Sequence, residues 1–381
     1  MQNDGPESIL MLSSEYPPEI LGGLGTHVKH LVKELAVRDR SGVLVTLPSK
    51  AAGSAGKEKS FSIIRPPMAF ERYSHSFEWM LNANFAWIKA LHDMNVPFTL
   101  VHAHDWLTAG AALYAKKTFD VPLVATIHSL ESGRKNTLTT SAEKWIHDTE
   151  MELIRKADHL IVCSQYMKQA LIREGADPGA ITQVKNGVSI PPPAENGKPA
   201  EPYLFSMGRF VPEKGFEDLI RAFSKLKPSF PDLELVIAGE GPALAGCTGL
   251  VRELNLQEDV TFPGFISGTE LNKYIQHAAG ICIPSRYEPF GLAALEAMAA
   301  GKPVAVSSAG GLPELVSHDE NGWVFENGKI DQLIQVLSEM LSKPEKAQLL
   351  GKNALKESKN YSWSLMGEET LAVYNKLLQR K

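Results

Sequence analysis

The sequence predicts an α/β protein built from two doubly wound, Rossmann-like domains. Three observations predict it. Short apolar runs alternate with amphipathic segments of helical period, the alternation occurs twice, and a stiff proline-rich segment separates the two rounds. At 381 residues the chain is long for one hydrophobic core and comfortable for two.

In the first round Ser8–Ser13, Val43–Leu47, Thr99–His102, Leu123–Ile127 and His159–Val162 read as strands. Leu24–Val37, Phe77–Met94, Leu107–Lys117, Ser141–Arg155 and Gln165–Arg173 read as helices. Such alternation argues for parallel βα units with helices on both faces of a sheet. Ala51–Lys59 is small, polar and glycine-containing, and reads as a mobile loop. Asn186-Gly187 and the run Ile190-Pro191-Pro192-Pro193 through Pro199 are too turn-rich for helix or central strand and mark a linker. In the second round Tyr203–Met207, Leu233–Ala238, Gly280–Ile283, Pro303–Ser307 and Gly322–Phe325 read as strands. Phe216–Leu226, Leu271–His277, Leu292–Ala300 and Gln332–Leu341 read as its helices, and Ser362–Leu378 closes the chain as a further helix. Ligands of open parallel sheets bind outside the carboxyl ends of the strands, so the site is expected in a cleft between facing strand ends.

Composition excludes several classes. Apolar residues make up 44% and charged residues 22%, as in an ordinary globular protein. The net charge of −5 implies no general nucleic-acid-binding surface. Three cysteines, Cys163, Cys247 and Cys282, suggest reduced thiols rather than a disulfide frame. No basic, apolar leader opens the sequence and no apolar run reaches the length of a membrane span, so a cytoplasmic protein is expected.

The densest stretch is Pro284-Ser285-Arg286-Tyr287-Glu288-Pro289-Phe290-Gly291-Leu292-Ala293-Ala294-Leu295-Glu296. It follows the buried strand Gly280–Ile283 and leads into an alanine-rich helix. Pro289-Phe290-Gly291 therefore sits at a helix N-terminus, where unpaired N–H groups and the positive dipole end can hold an anion. Glu288 stands before the helix and Glu296 about two turns along nearly the same face. Two carboxylates beside an anion cradle suit a ligand with both phosphates and hydroxyls, such as a nucleotide sugar.

Glu288 and Glu296 with Pro-Phe-Gly between them, and the later Gly310-Gly311-Leu312-Pro313-Glu314, resemble the signature of retaining GT-B glycosyltransferases of family 4. Gly208-Arg209-Phe210-Val211-Pro212-Glu213-Lys214-Gly215 follows the strand Tyr203–Met207 and resembles the family's diphosphate-binding Arg and Lys. Arg209 supplies a planar fork and Lys214 a point charge, against the plainer reading of two solvated loop cations. Glu15 through His27 carries the paired Gly22 and Gly23 directly before a helix. The resemblance places that loop, with Thr26, over the phosphates and the acceptor. Where glycogen and starch synthases carry a lysine just before the paired glycines, this chain reads Glu19-Ile20-Leu21, so that lysine's role does not transfer. Gly239-Glu240-Gly241-Pro242 resembles the family's Gly-x-Gly-Pro, and Phe262–Ile266, with Phe265 and Ile266, resembles the segment whose backbone meets the nucleobase.

His102-Ala103-His104-Asp105-Trp106 ends a strand with both imidazoles on one strand face, a possible metal pair. No third ligand stands at metal spacing and the chain has no Asp-x-Asp, so no metal site is expected. The resemblance puts His104 and Asp105 near acceptor and sugar and leaves one of the two histidines structural. It assigns His128, in Ala125–Glu131, to the transferred sugar. Ile127–Arg134 and Glu143–His147 look most like the glycogen-synthase-like branch of the family.

The resemblance thus implies a GT-B fold, with residues 1–190 plus 365–381 forming the acceptor-side domain, the last helix crossing back to it, and residues 191–364 binding the donor. The implied activity is hexosyl transfer (EC 2.4), with retention, from a nucleoside-diphosphate sugar to the hydroxyl of an acceptor sugar or glycoside, UDP- or ADP-glucose being the favoured donors. His128, Glu288, Arg209 and Lys214 are the implied catalytic set. Gly22, Gly23, Gly239, Phe265, Ile266, Phe290, Gly291, Leu292 and Glu296 complete the donor site with Arg209 and Lys214. No metal or other cofactor is implied, since two cations and a helix N-terminus can carry the leaving diphosphate. Weak membrane contact and a homodimer stay open. The competing readings are a GT-B nucleotide-sugar epimerase, a phosphorylase and a catalytically silent nucleotide-sugar-binding protein. Gly22–Gly25 alone would support a dinucleotide oxidoreductase, but it is not Gly-x-Gly-x-x-Gly.

Overall fold

The computed structural model describes residues 8–20, 22–48, 55–68, 70, 76–94, 96–135, 137–192 and 202–379. The chain divides into two units: Met1–Gly187 with Trp363–Lys381, and Val188–Ser362.

The first unit is built on β1 (Ser8–Leu12), β2 (Ser41–Val45), β3 (Ala55–Glu58), β4 (Phe61–Ile64), β5 (Leu100–His104), β6 (Leu123–Ile127), β7 (His159–Val162) and β8 (Ile181–Gln183). Their order is β3-β4-β2-β1-β5-β6-β7-β8. Every pairing is parallel except β3 with β4. The strands β5, β6 and β7 are buried along their whole length, as central strands of a sheet covered on both faces are, and the histidines of β5 and β7 are buried with them. The helices are α1 (Gly23–Val37), α2 (Ser76–Asp93), α3 (Ala109–Phe119), α4 (Glu131–Arg134), α5 (Ser141–Lys156) and α6 (Gln165–Arg173). Thr140 and Glu143 form a capping box that fixes the start of α5, and Ser164 caps α6. β1 pairs with β2 on one side and β5 on the other, so the strand order reverses there. The crevice at the carboxyl ends of β1 and β5 is the topological switch point where such sheets bind ligands.

The second unit is built on β9 (Tyr203–Met207), β10 (Glu234–Ala238), β11 (Val260–Thr261), β12 (Gly280–Ile283), β13 (Val304–Ser307) and β14 (Trp323–Phe325), in the order β11-β10-β9-β12-β13-β14 and all parallel. Its helices are α7 (Phe216–Leu226), α8 (Leu244–Glu253), α9 (Gly268–His277), α10 (Leu292–Ala299), α11 (Ile330–Ser342) and α12 (Pro344–Ser358). Phe216, Leu219, Ile220, Phe223 and Leu226 form the apolar stripe of α7 in a core that also holds Phe210, Trp323 and Leu337. The switch point lies between β9 and β12, which flank each other while β10 takes the far side of β9.

The chain ends in α13 (Trp363–Leu378), which belongs to the first unit. It lies on α1 through side-chain contacts. Trp363 stacks on His30 at 4.2 Å, and Arg38 donates to the Ser364 carbonyl and hydroxyl at 2.8 Å each. Gly367 is required there, because a Cβ would stand 2.5 Å from that of Glu34.

Sequence and structure differ at the edges. The sequence predicts a loop over Ala51–Lys59; within its described part, residues 55–59, Ala55–Glu58 is the antiparallel edge strand β3, whose glycine and charged residues hide it. Residues 51–54 lie outside the described residues, as do 193–199 of the proline-rich linker. β4 alternates buried and exposed side chains over four residues only, and α8 carries Gly246 and Gly249, which weaken its helical signal. Both escaped the sequence reading, as did β8, β11, α4 and α12.

Candidate functional site

In the second unit the β9 and β12 loops meet at the switch point by backbone contact. Gly215 has φ +67°, and a Cβ on it would stand 2.1 Å from the Pro284 carbonyl oxygen. The Arg286 N–H donates to the Glu213 carbonyl at 2.7 Å. This packing carries Lys214 onto Glu288: Nζ stands 2.7 Å from Oε2, which also accepts the Ser285 hydroxyl at 3.0 Å. Glu288 is buried at 8% exposure, so its charge has a partner where one is needed. Its carbonyl accepts the Gly311 N–H at 2.9 Å, and a Cβ on Gly310 would lie 2.0 Å from that oxygen. The Gly-Gly-Leu-Pro-Glu motif thus lets a neighbouring loop lie directly on Glu288.

Arg209 is exposed, and no side-chain partner holds it among the described residues. Arg286, which the sequence reading did not single out, is instead tied to Asp218 by two bonds of 3.0 and 2.8 Å. Gly239 has φ +138° and donates to the Gly264 carbonyl at 2.8 Å, bringing the Phe265–Ile266 segment beside the β9 and β10 ends. Phe265 is exposed and Ile266 buried. Gly291, at φ +109°, opens α10, whose first-turn N–H groups have no acceptor within the helix. Phe290 is buried against Tyr361 and Leu292 is half-buried. Burial raises the Glu296 carboxyl to about 7.

In the first unit the switch point gathers histidines. His104 ends β5, His128 follows β6, and His27 comes from the second turn of α1. His104 Nδ1 stands 3.1 Å from His128 Nε2, and the His27 ring lies 5.4 Å from the His104 ring and 4.8 Å from the His128 ring. Burial holds all three below the ordinary range, His27 and His128 at about 3. His27 Nδ1 meets Asn186 Oδ1 at 2.7 Å. His102 is the structural member of the His-x-His pair: its two nitrogens meet Tyr374 of α13 at 2.5 Å and Thr126 at 2.7 Å. The pair read along the strand is therefore not the cluster the fold assembles. The third imidazole that the sequence spacing did not show comes from α1.

Asp105 has φ +58°, rare for a residue with a side chain, and its Oδ1 accepts the His128 N–H at 2.7 Å. Burial raises its carboxyl to about 6. Behind it, Glu150 accepts the Glu131 N–H at 3.0 and 3.1 Å; burial, with the nearby Asp105 charge, raises it to about 8. Before α1, Glu15 Oε2 accepts the N–H groups of Gly22 at 3.1 Å and Gly25 at 3.3 Å. The glycine loop expected over phosphates thus holds a carboxylate of its own chain. Gly22 and Gly23 are exposed, and Thr26 is half-buried with its hydroxyl on the Gly22 carbonyl at 3.4 Å.

His27, Asn186, Glu15 and Glu150 escaped the sequence reading. His27 and Glu15 flank the paired glycines and could have been found there; Asn186 and Glu150 carry no local signal.

These two switch-point sites sit in a chain that matches known families along nearly its whole length. Residues 192–357 match the model of glycosyl transferases group 1, and residues 21–190 that of glycosyltransferase family 4. An uncharacterized glycosyltransferase of Bacillus subtilis is 37% identical over 90% of this chain and 89% of its own. A Mycobacterium tuberculosis glycogen synthase is 33% identical, covering 96% and 94%. The solved sucrose-phosphate synthase of Thermosynechococcus elongatus superposes with a TM-score of 0.87 at 25% identity, covering 98% and 100%. The chain belongs to the group 1, family 4 glycosyltransferases of the GT-B fold. It is a hexosyltransferase of the nucleotide-sugar-dependent kind.

Proposed function

We propose that the protein transfers glucose, with retained configuration and without a metal, from UDP-glucose or ADP-glucose to the hydroxyl of an acceptor sugar or glycoside. The observation that carries the donor assignment lies in the second unit. Arg209, with no side-chain partner among the described residues, and Lys214, paired with Glu288, follow β9, while the open first turn of α10 and Glu296 follow β12, the two strands that flank the switch point. The departing diphosphate develops negative charge, which two cations and oriented N–H groups stabilise without reorganising. Glu296 accepts the ribose hydroxyls. Glu288 holds Lys214 in place and accepts a hydroxyl of the transferred hexose. The resemblance assigns His128 to that hexose, and Asp105 orients it through the backbone bond. The leaving phosphate takes the acceptor proton in a front-face attack, so no covalent nucleophile is required. An Anabaena protein solved in complex with UDP-glucose shares the fold at a TM-score of 0.74, which is consistent with such a donor.

Incubation with UDP-glucose and ADP-glucose, with and without a panel of sugars and glycosides, tests the reading. Nucleoside diphosphate release that depends on acceptor, with an α-anomeric product by NMR, is expected. Donor binding without release would make the chain a silent binding protein. Altered stereochemistry of the free hexose without transfer would make it an epimerase.

A further inference from the structure

The histidine cluster of the first unit has a second chemical capacity. The nitrogens that His27, His104 and His128 can offer lie within 4.8 Å of one another. His104 Nδ1 and His128 Nε2 are 3.1 Å apart, close to the roughly 3.3 Å between two imidazole nitrogens bound tetrahedrally to zinc at 2.0–2.1 Å. His27 Nδ1 is engaged by Asn186 Oδ1, which leaves Nε2 to offer a metal; that atom is buried and has no hydrogen-bond partner among the described residues. A ring nitrogen fixed by a carbonyl oxygen while the other points into a cluster is the arrangement that orients metal-bound histidine. His102 is excluded from the set because both its nitrogens are already bonded. His128 is the least buried of the three, the side from which an ion would enter.

We propose that His27, His104 and His128 form a binding site for a borderline divalent transition-metal ion, zinc or cobalt, and that its occupancy switches the transferase off. Three neutral imidazoles with water in the fourth position match zinc's preferences, and the absence of carboxylate from the set disfavours magnesium and calcium. The ion is an inhibitor and not a cofactor: it ties up the His128 imidazole that the proposed function assigns to the sugar. The inhibitory half rests on the proposed role of His128; the binding half does not.

Cobalt titration of the whole chain tests binding directly. One equivalent is expected to give the visible absorption of four-coordinate cobalt, reversed by zinc, and zinc is expected to raise the melting temperature. His27→Gln is expected to abolish both signals, and Asn186→Ala to weaken binding about 10–100-fold, as lost outer partners do. Wild-type protein with neither cobalt absorption nor a zinc-induced shift overturns the site, as does unchanged binding in His27→Gln. If His27→Gln fails to fold, Asn186→Ala decides: undiminished affinity there overturns the site. In transfer assays zinc is expected to abolish wild-type turnover, a chelator to restore it, and the residual activity of His27→Gln to resist zinc. Stoichiometric binding without inhibition keeps the site and overturns the switch.

Discussion

Glu296 offers the sharpest quantitative test of the donor site. In the ligand-free protein burial lifts its carboxyl from 4.5 to about 7. A displacement of that size corresponds to about 3 kcal/mol against ionisation. The side chain keeps some solvent access, so this figure is the ceiling. The sign follows from linkage: the carboxyl is more easily protonated in the folded chain, so its destabilisation is absent at pH 4, grows as pH rises from about 4.5 to 7, and is constant above. A ribose that donates two hydroxyl hydrogens favours the charged form and draws the carboxyl back down. Nucleotide binding by wild type should therefore strengthen with pH. If the displacement is fully reversed on binding, the gain between pH 5.5 and 8 is roughly 30-fold. The terminal phosphate of the nucleotide titrates in the same interval, so the comparison is with Glu296→Gln, which shares the ligand's titration and lacks the carboxyl's. Calorimetric titration with UDP and ADP at several pH values should show a steeper rise for wild type, and at pH 8 weaker binding for the variant. Equal pH slopes in the two proteins would falsify the assignment of Glu296 to the ribose.

Three further outcomes follow from the same structure. Arg209→Ala and Lys214→Ala should each lower kcat/KM by about 2–4 kcal/mol of lost diphosphate stabilisation, but only Lys214→Ala should also lower the melting temperature, because it strands the buried Glu288 carboxylate; equal melting of both variants would contradict the ion pair's role. Turnover should survive exhaustive chelation, and activity that vanishes with chelator and returns with magnesium or manganese would remove the metal-free mechanism. Glu150→Gln keeps an acceptor for the Glu131 N–H while removing a carboxyl held up at about 8; its penalty grows as pH rises from 4.5 to 8, so the variant's gain in melting temperature should be larger at pH 9 than at pH 5.

What was legible in the sequence divides along physical lines. The second unit's loop geometry was legible because it is written in short local strings. Gly215, Gly239, Gly291 and Gly310 stand where φ is positive or where a Cβ would strike a neighbouring backbone oxygen, or both, and each lies within a few residues of a side chain it serves. For the same reason the sequence put Arg209 and Lys214 in the loop after β9 and Glu288 in the loop after β12. The Lys214–Glu288 contact was not legible, since a pair 74 residues apart is set by the packing of two loops rather than by either motif. The first unit's cluster was hidden more thoroughly. Periodicity on β5 pointed to His102 and His104 as partners, yet α13 takes His102 through Tyr374, and α1 turns His27 toward the space that remains. Asn186, which fixes the His27 ring, read in sequence only as part of an Asn-Gly turn. Tertiary packing thus converts one strand's regular pattern into two unlike environments, a histidine bonded to Tyr374 and Thr126 and one turned to the cluster with His27 and His128. The same packing that denies His102 to any ligand leaves His104 and His128 facing each other, Nδ1 to Nε2, in the cluster with His27 on which the metal reading depends.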